Sequence, residues 1–263
     1  MLVTGATIPV IAVTQGIVQF SQRESFNTLK KILATELKVF ENEIDSEKHT
    51  LATNANTLAL SVELAEINLN DADNVTAKNQ ELQSLISGVK EQQPNASFYL
   101  ITDKQGKTVA QYIQAVKVDG SEYPLMPAAG DSNSKTQFQP VQLKTGISLT
   151  DVPIVSNALK LSRPLSGFEV IPGNILQRIG LERQANIGLR FQKTEGLAEP
   201  NKPYPEGKYD IDGGKAGFVV MAVEPIKLGK NQVGTAVVGT LVNRNFELVD
   251  RLKNVTNVST ATI

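Results

Sequence analysis

Apolar residues recur at spacings of three and four early in the chain: Phe26, Leu29, Leu33, Leu37, Phe40 and Ile44, then Leu51, Leu58 and Val62. That period places them on one face of a helix. Lys30, Lys31, Glu36, Glu41, Glu43 and Glu47 occupy the other faces, and no proline interrupts from Ser21 to Gln93. The stripe is longer than one small domain needs. Its first half is expected to pack on a partner helix or a second copy, and its second half on its own domain. Asn70, Asp71, Asp73 and Asn74 break the pattern. Asp73 or Asn74 would cap a second helix over residues 75–90, which Pro94 ends.

From Ser97 the period changes to that of strands. SFYLITDKQGKTVAQYI reads as a hairpin, with Asp103 and Gly106 in its turn. Residues 120–140 are rich in Gly, Pro, Ser and Asp and read as loop. A short helix is expected at 156–161, a strand at 167–171, a helix at 174–179 and a strand start at 187–191. Near the end, a strand over 218–224 closes at Pro225, Gly229 and Asn231 supply a turn, and a strand over 233–242 leads to a helix at 245–252.

Three of these stretches carry a resemblance. The block from Gly214 to Asn254, the hairpin with Asp103 and Gly106, and the segment containing Gly180-Leu181-x-x-Gln184-Ala185 together resemble the extracytoplasmic Cache sensor domains of bacterial chemoreceptors, sensor kinases and cyclases. The resemblance covers about the second two-thirds of the chain, rests on pattern and short matches, and includes no catalytic signature. It implies an α+β fold, a single Cache domain. A long N-terminal helix and a second helix pack on a PAS-like antiparallel sheet of about five or six strands. It also implies a further strand and a second membrane helix beyond residue 263, so the chain is expected to be a fragment of a larger receptor. The expected organisation is a partial transmembrane segment at 1–22, a helical stalk at 23–94 and the sensor domain at 95–263.

Composition narrows the function. Net charge is −1 over 263 residues, without the basic excess of a nucleic-acid footprint. The absence of cysteine excludes disulfides, thiolate metal sites and a cysteine nucleophile, and the single histidine, His49, excludes a multi-histidine relay. His49 reads as a solvated surface residue. No charge occurs before Arg23. As a helix, the first twenty residues would span roughly 30 Å, about one bilayer core. Thr4, Thr7, Thr14, Gln15 and Gln19 weaken that reading. A cleaved signal peptide, which would lack its basic region, and a buried arm are the rivals.

No chemistry-bearing motif emerges. Gly213-Gly214-Lys215 is followed by Ala216 and a strand, so it is no phosphate loop. Asn70-x-x-Asp73 and Asp210-x-Asp212-Gly213 are fragments of calcium-loop patterns, better read as caps and turns. There is no Gly-x-Ser-x-Gly elbow. The expectation is a non-enzymatic sensor with no metal and no cofactor, anchored in the bacterial cell membrane with its sensor part outside. It would bind a small molecule, with a carboxylate as one option, and form a homodimer through the long helix. The alternative is an extracytoplasmic binding module that does not signal.

The resemblance places the ligand pocket on one face of the sheet, under the strand-to-helix connections. Candidate contacts by position are Tyr99 and Tyr112 in the hairpin, Arg163 before the 167–171 strand, and Arg190. An arginine among apolar neighbours is costly unless it meets an anion, and its fork matches a carboxylate. Arg190 facing solvent or pairing with Glu169 is the competing reading. Met221 and Glu224 line the next strand, Met221 more as core than as pocket. None of these is a motif residue of the family, so the resemblance assigns them no binding role.

Overall fold

The computed structural model describes residues 4–116, 138–185, 215–243 and 245, with side chains before residue 30 and at 32, 33 and 36 left aside. Helix α1 runs without a break from Thr4 to Leu64, 61 residues, or roughly 90 Å at 1.5 Å per residue. Ile44 is 8% exposed and Leu51, Leu58 and Val62 are fully buried, whereas Leu37 is 58% exposed. The apolar stripe is therefore used by the domain only from about Phe40, which packs against the core edge. Among the described residues no helix is long and apolar enough to cross a membrane.

The expected second helix is two: α2 (Ala72–Ala77) and α3 (Asn79–Gln92). Asp71 is the cap, rather than Asp73 or Asn74. Its carboxylate accepts from the Asp73 and Asn74 amides at 3.0 and 3.1 Å, satisfying donors that the first turn leaves free. Strands β1 (Phe98–Asp103) and β2 (Thr108–Val116) form the expected hairpin. In its turn Asp103 Oδ1 accepts from the Gln105 and Lys107 amides, both at 2.9 Å, and Gly106 takes φ +74°. Turn geometry accounts for both residues.

The remaining elements are β3 (Phe138–Pro140), α4 (Pro153–Leu161), β4 (Leu165–Ile171), α5 (Gly173–Arg178), α6 (Glu182–Ala185), β5 (Gly217–Leu228) and β6 (Asn231–Leu241). Proline begins α4, where its missing N–H costs nothing. The strands make one sheet in the order β3-β2-β1-β6-β5-β4, every pair antiparallel. This is the α+β architecture expected from the sequence.

Pro225 does not close β5, which continues to Leu228. Pairing with β4 ends at Val223 opposite Leu165, so the edge of β5 at Pro225 is not occupied by β4. A proline there removes no ladder bond. Two residues on, the Lys227 amide points out of the same edge and donates to Glu63 Oε1 at 2.7 Å.

The two faces carry separate cores. On the helical face, Tyr99, Ile101, Val220, Ala222, Ala236 and Val238 meet Leu51, Ala55, Leu58 and Val62 of α1 and Leu82 and Ile86 of α3. On the distal face, Phe98, Leu100, Met221 and Val237 meet Val155 of α4 and Ile175, Leu176 and Ile179 of the α5 region. The alternation along each strand decides which core a residue joins.

Candidate functional site

Each face of the sheet was a possible pocket. The distal face, where the resemblance puts the ligand, is filled by side chains among the described residues. A cavity of about 10 Å³ remains between Phe98, Leu100, Val155, Ile175, Met221 and Val237. That admits roughly one water. A small-molecule site usually needs about 300 Å³ or more.

The larger opening lies on the other face, where β4 leaves β5. It is a cleft of about 80 Å³, with Ala52 and Ala55 of α1 on one wall and Pro164, Ser166, Ala222 and Glu224 on the other. Small alanines leave the space, since α1 has no long side chain to fill it there. Glu224 is half-buried. Burial pushes its carboxyl above the ordinary range, with nearby Glu63 adding to the rise and Lys227 opposing it.

The predicted contacts do not meet in one place. Tyr99 is fully buried on the helical face, and its hydroxyl donates to the Gln93 carbonyl. Burial holds its phenol well above the usual tyrosine range, with Tyr112 and the Glu47 carboxylate adding to the effect. Tyr112 lies beside it at 6.3 Å between ring centroids, with Lys90 Nζ 4.1 Å from its ring centre. Both tyrosines face α1 and α3, away from the distal face and outside the cleft. Arg163 is exposed in the bend between α4 and β4, next to Pro164 at the cleft. Arg190 lies outside the described residues, as do the expected strand at 187–191 and, after Asn245, the expected helix at 245–252. Met221 is core on the distal face, and His49 is exposed, both as expected. No metal-ligating group of three or more His, Cys, Asp or Glu occurs among the described residues.

Glu47 corrects the sequence reading. It is 7% exposed, not on a solvated face, and its Oε1 accepts from Thr240 Oγ1 at 3.3 Å. The signal was present: Glu47 sits three residues after Ile44 and four before Leu51, within the stripe. Asn54, 4% exposed, lies at the same kind of position.

The Gly180-Leu181-x-x-Gln184-Ala185 segment has a structural explanation. Gly180 has φ +70° and a Cβ there would lie 2.5 Å from Val141 Cγ1. Leu181 and Ala185 are fully buried. Gln184, 1% exposed, accepts from the Val116 amide at 2.9 Å and donates to the Leu241 and Asn243 carbonyls at 3.4 and 2.9 Å. Asn243 in turn accepts from the Phe218 amide at 2.7 Å and donates to the Ala185 carbonyl at 3.0 Å. Two amide side chains thus tie the ends of β2, α6, β5 and β6 together at one corner of the sheet.

No protein-family model matches the chain, and no curated protein does. Solved structures with a similar course of chain include two sensor domains. One is the sensor domain of the V. cholerae histidine kinase DctB, 10% identical with TM-score 0.44, covering 89% of this chain and 62% of that one. Another is the ligand-binding domain of the Campylobacter jejuni chemoreceptor Tlp3 in complex with L-valine, 13% identical with TM-score 0.44, covering 92% of this chain and 68% of that one. The chain thus spans about two thirds of the length of these domains. Likeness at this level assigns no ligand and no activity to this chain.

Proposed function

We propose that this chain is the extracytoplasmic ligand-sensing part of a bacterial transmembrane receptor of the chemotaxis or two-component type. It is not an enzyme in this reading. It binds a small molecule, with a carboxylate as the first class to try, and passes the event along α1. The observation that carries the reading is the divided use of α1. From about Phe40 onward the helix is part of the core under β5 and β6, while Leu37 is exposed and the helix extends back to Thr4. A helix built into the sheet at one end and running on beyond it is suited to carry a shift out of the domain. The ligand must bind two arrangements of the sheet with different affinity, or nothing is signalled. The exposed stretch of α1 would pair with that of a second copy.

A thermal-shift screen with carboxylates, amino acids, amines, nucleobases and sugars tests ligand sensing, because a ligand that binds only the folded state raises Tm by mass action. The expected result is a carboxylate hit that Arg190→Ala removes. A well-folded protein with no hit across the set would count against a direct small-molecule sensor. A cysteine placed at Leu37, which is exposed, should cross-link between copies in membranes of the full receptor, and its failure to do so would overturn pairing through α1.

A further inference from the structure

The cleft between α1 and the β4–β5 junction has a chemistry of its own, independent of the sensing reading and on the opposite face from the pocket that reading expects. Its walls are small and apolar at Ala52, Ala55 and Ala222, and exposed Ser166 and half-buried Glu224 also line it. Glu224 makes no hydrogen bond and no ion pair within 4 Å among the described residues. Strand alternation sends Glu224 to the helical face, in register with Ala236, which belongs to that core. The strand edge beside it is poor in free donors: Pro225 has no N–H, and the Lys227 N–H is taken by Glu63.

A half-buried carboxylate above an apolar floor favours an occupant that brings hydrogen-bond donors and a positive charge on a small body. The volume of about 80 Å³ is well above the roughly 10–15 Å³ that admits one water and well below the roughly 300 Å³ of a site that encloses a drug-sized ligand. That suits an ammonium group on a short alkyl body. We propose that this cleft is a subsite for the ammonium end of a small primary amine. The ammonium pairs with Glu224 and Ser166 Oγ, and the short alkyl part lies against Ala52 and Ala55. Among the described residues, the other charged groups that act on Glu224 are Glu63, which strengthens the negative field, and exposed Lys227, which weakens it; exposed Arg163 adjoins Pro164 of the cleft.

The test is an amide-resolved NMR titration of the full chain with ethylammonium chloride, with sodium chloride, sodium acetate and tetramethylammonium chloride at equal concentration as controls. Ethylammonium should produce saturable shifts at the amides of Ala52, Ala55 and Ser166 that the three control salts do not. Glu224→Gln, which keeps the shape, should weaken binding tenfold or more. Ala52→Leu, which fills the cleft and leaves the carboxylate, should abolish it. The amide spectra show directly whether each variant is folded, and either variant alone suffices as the test. The proposal is overturned by unsaturable shifts, by equal response to sodium or tetramethylammonium, by acetate moving the same amides, or by a folded variant that binds ethylammonium as the parent chain does.

Discussion

Replacing Gln184 by methionine keeps the length and bulk of the side chain and removes its amide. Three partners are affected: the Val116 amide, which loses its acceptor, and the Leu241 and Asn243 carbonyls, which lose donors. A buried N–H without an acceptor costs about 1–3 kcal/mol, and an ordinary lost hydrogen bond about 0.5–1.5 kcal/mol. The 3.4 Å bond to Leu241 belongs at the weak end of that range. The sum is a loss of roughly 2–5 kcal/mol, about a third of the stability of a typical domain. Equilibrium urea unfolding monitored by circular dichroism would read it as a lower midpoint at unchanged slope. Hydrogen exchange at the Val116 amide should accelerate in parallel. Gln184→Glu separates the two roles of the amide: it keeps an acceptor for Val116 but sets a buried charge against two carbonyls, so its deficit should be largest at neutral pH and shrink as the carboxyl becomes protonated. A Gln184→Met variant within 0.5 kcal/mol of the parent chain would refute the assignment of this corner as a structural tie.

Further expectations concern the two cores and the titrating acids. Gly234→Ala would drive a methyl group into the Thr102 carbonyl and to within 2.8 Å of Leu69. A loss of about 3 kcal/mol or more is expected, whereas Gly88→Ala on α3, with nothing within 4 Å, should gain about 0.5–1 kcal/mol; urea midpoints in the same order as the parent chain would contradict both. Leu58→Ala removes a fully buried side chain between α1 and the sheet and should cost about 2–5 kcal/mol, read by thermal or urea unfolding. Glu169 is raised above its ordinary 4.5 by burial, with the Ile154 backbone hydrogen bond opposing. The stability it contributes is complete below that ordinary value and is lost as pH rises through the folded value. Glu169→Gln should therefore gain on the parent chain between acid and neutral pH, and a difference that does not change with pH would sink the argument.

Much of the fold was readable from period alone. The α1 stripe, the β1–β2 hairpin with its Asp103–Gly106 turn, and the β5–β6 pair are local patterns whose apolar residues repeat at the period of their element. What escaped the sequence depended on neighbours that are distant in the chain. Pro225 ends a strand only if both edges are paired, and whether β4 reaches that far cannot be read from residues 218–242. The charge of Glu47 points to solvent and its place in the stripe to the core; the core prevails because a buried carboxylate finds a partner in Thr240, some two hundred positions away. The split between α2 and α3 turns on which of four adjacent Asx residues captures the amides, and Asp71 does so through a local geometry that composition does not separate from Asp73. The predicted site was the least legible part. Tyr99, Tyr112 and Arg163 lie in or beside expected strands, and strand alternation puts both tyrosines on the helical face. The small residues that open the cleft, Ala52 and Ala55, carry no chemical signal in a sequence.

The buried phenol of Tyr99 gives the molecule an optical gauge of its own integrity. With no tryptophan and five tyrosines, the near-ultraviolet spectrum belongs to phenol rings. Burial keeps Tyr99 neutral far above the usual tyrosine range, so the tyrosinate absorbance of the intact chain should stop short of its full amplitude in alkaline solution. The missing part should appear together with unfolding. Tyr99 favours the folded state below the ordinary tyrosine value of 10.0, and that contribution is lost as pH rises above it. The amplitude still withheld at any moment thus counts the molecules whose seam between sheet and helices is closed, with no label added.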